Sequence, residues 1–212
     1  MATSKRQTDR RIQRTRQVLQ QAFKEVMQEK GFATAGVWGM ERGFEAMSIQ
    51  DITERANVNR GTFYLHFSDK YMLADTVIRE QFHLMLTRSL PPSPRWDRNT
   101  LYLLIQTILT SFEQKYHHQH HQSLVLAPLM ERAMHDELTS LLLIWLKQEK
   151  RAAIAGRTPL ETIARIVGWA IFGAAIQWSQ EEPSVSREQM ANAILQVIME
   201  GTARLSPDTL PQ

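Results

Sequence analysis

The chain has 212 residues, of which 43% are hydrophobic and 22% charged, with no cysteine and a formal net charge of +3 at pH 7. This composition excludes wholesale disorder, a disulfide scaffold, a thiolate metal site and a cysteine nucleophile. The N-terminus carries no secretory signal, and the longest apolar run, 166–176, is too short to span a bilayer. We therefore expect a cytoplasmic, mainly helical protein of one or two domains that has no membrane partner.

Positive charge is concentrated at the N-terminus of the chain. Residues 1–16 contain six Lys or Arg residues against a single Asp, which gives this segment a charge of +5 and leaves about −2 for the rest. A basic arm on a nearly neutral body is typical of nucleic-acid-binding proteins. A solvated basic tail explains the charge equally well.

The first predicted element is a helix over 9–30, in which apolar residues recur three and four positions apart. Gly31 is predicted to end it, because glycine commonly follows the last helical turn. The next stretch, 33–44, contains three glycines and has no helical period, which predicts a surface loop. Deletion of this loop should change the free energy of unfolding by no more than about 1 kcal/mol.

Two short helices joined by a tight turn follow this loop. Ser48 and Asn59 are predicted to be their N-caps, and Asp51 completes a near capping box. Helices this short need a common core. We assign that core to Ile49, Ile52, Ala56, Val58, Phe63 and Phe67. The residues left on the outer side of the second helix, which suit base edges and phosphates, are Arg60, Gly61, Thr62, Tyr64 and His66.

The remaining chain is also predicted to be helical. A long helix over 70–89 is stopped by a cluster of prolines, and apolar stripes predict further helices before residue 150. Pro128 predicts an interruption in the helix that contains it. Two last helices are expected over 158–180 and 186–201. The pattern as a whole predicts an all-α fold of about nine helices.

The segment 47–70, MSIQDITERANVNRGTFYLHFSDK, resembles the DNA-binding signature of the TetR/AcrR family of bacterial repressors. Its most specific part is the run Gly-Thr-Phe-Tyr-x-His-Phe-x-x-Lys, and the resemblance extends over residues 8–85. The resemblance implies an N-terminal three-helix helix-turn-helix domain, 1–85, followed by a helical effector-binding and dimerisation domain, 86–212.

The resemblance also implies which residues contact DNA. Gln50 occupies the position at which the first short helix reaches the duplex. Arg60, Gly61 and Thr62 would open the recognition helix, whose N-terminal residues face the major groove. Phosphate contacts are implied for Tyr64, His66 and Lys70. The predicted DNA-binding set, which includes the two cap residues, is Ser48, Gln50, Asn59, Arg60, Gly61, Thr62, Tyr64, His66 and Lys70.

The chain departs from the family pattern between the first helix and the helix-turn-helix. The Gly-Phe link that normally joins them occurs twice, beginning at Gly31 and at Gly43, with about twelve extra residues between the two copies. We assign the family role to the second copy, because it directly precedes the capped helix. The extra residues, near 33–44, form either a tolerated surface loop or an added contact to DNA or to a neighbouring subunit.

Large apolar residues are more frequent in the second half of the chain, where the resemblance implies an effector pocket. The residues that could line such a pocket are Met85, Tyr102, Gln106, Phe112, Trp145, Trp169 and Phe172, although an aromatic at helical spacing is more often a core residue. The resemblance also implies a homodimer formed by the last two helices. Gly168 lies on an apolar helix rich in small residues, so Gly168→Trp should weaken that dimer if this face of the helix is shared.

Two classes of function remain open from the sequence. The first is a ligand-responsive repressor that binds a palindromic operator as a homodimer and is released by a small molecule of unknown identity, without a cofactor. The second is a small helical enzyme or metal-binding protein that uses the His-rich run 117–121. No catalytic motif supports an enzyme, and the run holds no carboxylate or thiolate. We therefore predict a regulator that is not an enzyme and has no metal site.

Overall fold

The fold is known from a computed structural model, which describes residues 2–31, 43–116, 126–149, 158–180 and 185–204. The described residues form nine helices and no strand, which confirms the predicted all-α class. In chain order the helices are α1 (Ala2–Gly31), α2 (43–46), α3 (Ile49–Arg55), α4 (Arg60–Tyr64), α5 (Lys70–Ser89), α6 (Arg98–Tyr116), α7 (Leu126–Gln148), α8 (Leu160–Gln180) and α9 (Arg187–Arg204).

The chain divides into two compact units. Unit 1 comprises Met1–Arg79 and His121–Ala133, and unit 2 comprises Glu80–His120 and Met134–Gln212. The core of unit 1 includes Leu126, at the start of α7, which is 2% exposed. The predicted domain 1–85 does not contain Leu126, so the core of unit 1 includes a residue that the prediction placed in the second domain, 86–212.

The first helix is longer than predicted. It begins at Ala2 instead of residue 9, since the Arg, Lys and Gln residues of the basic segment have good helix propensity. The predicted apolar face is confirmed by Leu19, Phe23 and Val26, which are buried, whereas Ile12 is 44% exposed. The basic N-terminal segment is therefore the first part of a helix, and only its later turns join the core.

Phe44 is a central residue of unit 1. Its side chain is fully buried, and its ring lies edge-on to the rings of Phe23 and Tyr71, at centroid distances of 6.3 and 5.2 Å. The predicted surface loop 33–44 therefore extends too far, because Gly43 and Phe44 are buried and begin α2. Residues 33–42 of that loop lie outside the described residues.

Two lysines fix the segment that connects α2 to α3. Lys70 Nζ donates hydrogen bonds to the carbonyl oxygens of Phe44 (2.9 Å), Glu45 (3.3 Å) and Met47 (2.9 Å). Lys30 Nζ donates to the fourth carbonyl of this run, that of Ala46, at 3.0 Å. The last carbonyls of a helix have no intrahelical donor. Here the two ammonium groups donate to the carbonyls of this run, and the Phe44 oxygen also accepts the Met47 N–H at 3.3 Å.

Unit 2 is a helical layer in which α6 packs against α8 and α9. Its interior is aromatic: the Phe112 and Phe172 rings meet edge to face with centroids 5.2 Å apart, and Trp145 is 1% exposed. Of the described helices, α8 is long and apolar enough to cross a membrane by length and composition alone, a test that core helices also pass. Nine of its residues are buried within this unit.

Two predictions about individual helix positions are wrong. Pro128 does not interrupt a helix, because α7 begins at Leu126 and a proline in the first turn removes no helical hydrogen bond. Gly168 does not lie on a free face of α8. A Cβ at this position would lie 2.9 Å from Thr139 Oγ1 and 3.3 Å from His135 Nε2, so Gly168 packs against α7 and Gly168→Trp would disrupt the monomer.

The substitution Gly168→Ala should destabilise the protein by about 1–3 kcal/mol, the usual effect of adding a methyl group to a packed site. Gly173→Ala, on the same helix, is the matched control. A Cβ there would have no neighbour within 4 Å, so the better helix propensity of alanine should stabilise by about 0.5–1 kcal/mol. Urea unfolding of both variants measures the difference, and equal effects would contradict the close contact with Thr139.

Candidate nucleic-acid interface

The first short helix, α3, begins at a complete capping box. Ser48 Oγ accepts the backbone N–H of Asp51 at 3.1 Å, and Asp51 Oδ2 accepts the backbone N–H of Ser48 at 2.7 Å. The same carboxylate oxygen accepts a hydrogen bond from Lys30 Nζ at 2.7 Å. The Ser48 hydroxyl also donates to Asp51 Oδ2, at 2.8 Å. The bond from Lys30 and the bonds from the backbone N–H and the hydroxyl of Ser48 lower the pKa of Asp51 from 3.8 to about 2.

Replacing Asp51 by asparagine should lower the free energy of unfolding near neutral pH. Since the folded pKa of Asp51 lies below its ordinary value, its charge stabilises fully above about pH 4, and this contribution disappears as the pH falls through about 2. The difference between the wild type and Asp51→Asn should therefore shrink in acid. Urea unfolding of both proteins between about pH 5 and pH 2.5 tests this, and a constant difference would be contrary to it.

The second short helix, α4, follows a turn in which Asn57 adopts a left-handed conformation (φ 51°), one that asparagine tolerates better than most residues. Asn59 is its N-cap, as predicted: Asn59 Oδ1 accepts the Thr62 backbone N–H at 2.7 Å and the Thr62 hydroxyl at 3.0 Å. Phe63 and Phe67 are 0% and 1% exposed and belong to the core of unit 1, as predicted.

The predicted base-reading residues lie on the outside of these two helices. Gln50 is exposed, and its amide donates to Glu54 Oε1 at 2.8 Å. Arg60 is exposed at the start of α4, and its Nη2 donates to the Tyr64 hydroxyl at 3.1 Å. Tyr64 is 47% exposed, while Thr62 is half-buried beside its cap. A guanidinium, an amide and a phenol are thus exposed on these two helices of unit 1.

His66 is half-buried near the end of this segment. Burial, and to a smaller extent the positive charge of Arg16, lowers the pKa of His66 below 6.5, so its ring is mainly neutral at pH 7. The Arg16 guanidinium lies 4.8 Å from the centroid of the Phe67 ring. A neutral imidazole next to an arginine retains one N–H for a phosphate oxygen, and the predicted phosphate role of His66 stays a prediction.

Three residues of the predicted DNA-binding set have structural partners. Ser48 and Asn59 cap helices through their side chains. Lys70 is half-buried, with its ammonium on the carbonyl oxygens of Phe44, Glu45 and Met47, and burial lowers its pKa below 10.5. The geometry therefore gives Lys70 a structural role, and the phosphate contact implied by the resemblance stays a prediction.

Leu65, which lies outside the predicted DNA-binding set, is 83% exposed and immediately follows α4. Residues two positions apart on a helix point to nearly opposite sides, so Leu65 faces away from the buried Phe63. Because the predicted set was chosen for polar groups, this position was omitted.

The residues predicted for an effector pocket divide into three groups. Phe112, Trp145 and Phe172 are 0–1% exposed in the interior of unit 2. Met85, Tyr102 and Gln106 are half-buried, and Gln106 Nε2 donates to the Tyr102 hydroxyl at 3.0 Å. Trp169 is 52% exposed on α8 and stacks on the buried His135 at a centroid distance of 4.1 Å, and its place in an effector pocket stays a prediction.

The His-rich run 117–121, the one segment considered for metal binding, lies outside the described residues. Among the residues that are described, no group of three His, Asp or Glu side chains is placed to hold a metal ion.

A capped short helix, a tight turn and a second capped helix packed on α1 define a helix-turn-helix domain, the class of fold with which many proteins bind DNA. Residues 40–77 match the family model of bacterial regulatory proteins of the tetR family. This match covers the helix-turn-helix and confirms the resemblance to the TetR family that the sequence predicts there.

Two relatives with known sequences are transcriptional regulators by name. The HTH-type regulator YxbF of Bacillus subtilis (strain 168) is 38% identical over 74 residues, which are 35% of this chain and only 17% of that protein. The HTH-type transcriptional repressor BepR of Brucella suis biovar 1 (strain 1330) is 23% identical over 194 residues, which cover 82% of this chain and 89% of the repressor. The family consists of regulators, which agrees with the prediction that the chain is not an enzyme.

Among solved structures, the chain is similar to a TetR transcriptional regulator from Streptococcus agalactiae 2603V. The two are 20% identical, with a TM-score of 0.47 and coverage of 93% of this chain and 99% of that one.

Proposed function

We propose that this protein is a cytoplasmic transcriptional repressor that binds a near-palindromic DNA operator as a homodimer and is released by a small molecule. The observation that carries the proposal is the exposed set of Gln50, Arg60 and Tyr64 on two helices whose other faces form a common core. A guanidinium suits the two acceptors of guanine, an amide suits adenine, and a phenol suits a phosphate oxygen. The repressor BepR, which aligns with most of the chain, supports repression rather than activation of transcription.

The basic start of α1 supports DNA as the partner. Arg10, Arg11 and Arg14 are exposed, and none of them has an ion pair with another described side chain. Free guanidinium groups attract phosphates irrespective of base sequence and make binding salt-dependent. They would thus add affinity without adding sequence preference.

The homodimer is proposed on the exposed apolar residues of the last two helices. Ile166 and Trp169 on α8 are 61% and 52% exposed, and Val197 on α9 is 69% exposed. A second copy of the chain would remove these side chains from water. Such a dimer would present two recognition helices about one duplex turn apart, ~34–36 Å, and would therefore read a near-palindrome.

The test is selection of binding sequences from a pool of random duplex DNA, followed by fluorescence anisotropy against the selected and a scrambled duplex. We expect a symmetric consensus and a preference of about 10³-fold or more over scrambled DNA. Light scattering at micromolar concentration should give the mass of a dimer, and Trp169→Glu should shift it toward the monomer. Failure to enrich any sequence would exclude the regulator, while a monomer mass would exclude only the dimer.

The small-molecule effector is the part of the proposal that depends most on the family resemblance. Its support in unit 2 is the half-buried Tyr102–Gln106 pair beside a largely aromatic interior, since ligand sites combine apolar walls with a few polar groups. Compounds can be screened for loss of the anisotropy of the preformed DNA complex. Gln106→Ala should weaken the response to an active compound while leaving operator affinity unchanged.

A further inference from the structure

Leu65 occupies the centre of the face that α4 turns away from the core. It is the most exposed of the large apolar residues in the described part of the chain, at 83%. A single exposed leucine is ordinary on a protein surface, so exposure alone does not indicate a function. The evidence for a function is the position of Leu65 relative to the proposed recognition residues.

The backbone fixes the direction of this side chain. Leu65 has helical dihedral angles (φ −71°, ψ −19°), and its N–H donates to the carbonyl oxygen of Gly61 at 3.2 Å, so the helical path of α4 continues through it. At 100° per residue, Leu65 lies about 160° from the fully buried Phe63 and about 40° from Gly61. Tyr64 and Thr62 lie to either side.

The neighbouring glycine leaves space on that face. Gly61 is exposed and has no side chain to hold the helix away from a docked surface. The face of α4 that is opposite to the core therefore consists of an exposed glycine, whose one close side-chain neighbour is the Asn59 cap (3.3 Å from an added Cβ), and an apolar side chain. Polar groups lie at its edges. A surface of this kind fits an apolar group better than a phosphate.

In the major groove, the C5-methyl group of thymine is the apolar feature of the base edges. We propose that Leu65 contacts the C5-methyl group of a thymine in each operator half-site and so determines sequence preference at that base pair. This inference rests on the proposed DNA-binding function. Contact with one methyl group is worth about fourfold in affinity per half-site.

The experiment uses the full-length protein and the duplex selected by the wild type. Each thymine is replaced in turn by deoxyuridine in both half-sites, which removes the methyl group and retains every hydrogen-bonding group of the base. We expect one thymine position at which the replacement weakens wild-type binding by about fourfold per half-site, whereas the same replacement leaves the affinity of Leu65→Ala unchanged. Low salt keeps binding by the variant measurable.

Two control variants test whether the sensitivity to deoxyuridine belongs to Leu65. Leu84→Ala makes the same truncation at a 40% exposed position in unit 2 and should retain the full sensitivity to deoxyuridine. Thr62→Ser removes the other methyl group near this face while keeping the capped hydroxyl, and it should also retain the sensitivity. Thermal melting of Leu65→Ala should match the wild type, since the side chain is exposed.

The outcomes distinguish this inference from the proposed function. If the wild type enriches no sequence, the DNA-binding function fails and the inference fails with it. If the wild type binds its selected duplex but no deoxyuridine weakens it, the inference alone is overturned. It is likewise overturned if Leu65→Ala keeps the sensitivity, or if Thr62→Ser abolishes it.

Discussion

Replacing Arg60 by alanine should weaken binding to the selected operator by about 2–6 kcal/mol. A bidentate contact between a guanidinium and guanine contributes about 1–3 kcal/mol of discrimination, and a symmetric dimer would lose it in both half-sites. Arg60 is exposed at the first position of α4, where a recognition helix faces the groove. Fluorescence anisotropy at fixed salt, with the selected duplex and a scrambled duplex, measures the loss.

The comparison between duplexes decides the role of this arginine. Arg60→Ala should affect the scrambled duplex much less, and Arg88→Ala, at an exposed arginine of α5 in unit 2, should affect neither. An equal loss on both duplexes would assign Arg60 to phosphate rather than base. Tyr64→Phe removes the hydroxyl that holds the guanidinium at 3.1 Å in the free protein and tests whether this bond orients it.

Replacing Phe44 by alanine should destabilise unit 1 by about 3–5 kcal/mol, the usual cost of truncating a fully buried phenylalanine. The loss has a clear structural origin, because the ring contacts Phe23 and Tyr71 and lies 4.7 Å from the Lys70 ammonium. Urea unfolding followed by circular dichroism measures it. Phe44→Leu, which keeps most of the volume, should cost less than half as much.

A matched deletion tests whether the extra segment between the two Gly-Phe copies contributes to the core. Removal of residues 33–42 keeps Phe44, and the glycine content of that stretch leads us to expect a change within about 1 kcal/mol. A small effect of Phe44→Ala combined with a large effect of the deletion would reverse the assignment and place the essential residues in the extra segment.

Local signals in the sequence were sufficient for the helix-turn-helix. Ser48 and Asn59 cap their helices because each side chain reaches a backbone N–H only three residues away, and such contacts can be read from spacing alone. The burial of Phe63 and Phe67 follows from helical periodicity in the same manner. These predictions depend on neighbours in the chain and needed no knowledge of packing.

The predictions that failed, or that the sequence could not make, depend on residues distant in the chain. Lys70 binds carbonyl oxygens more than twenty residues earlier, which no local pattern reveals. Gly168 and Trp169 are adjacent on one apolar helix, yet the first packs against α7 and the second is half exposed. Sequence periodicity shows which residues share a face of a helix. Which of these faces becomes buried depends on how the helices pack in the tertiary structure.

The lysine contacts at the α2–α3 connection have a consequence for changes in the length of the preceding chain. Lys30 and Lys70 secure four successive carbonyls, so the polypeptide enters α3 from a fixed point. A change in the number of residues before residue 43 should therefore leave the positions of α3 and α4 within unit 1 unaltered.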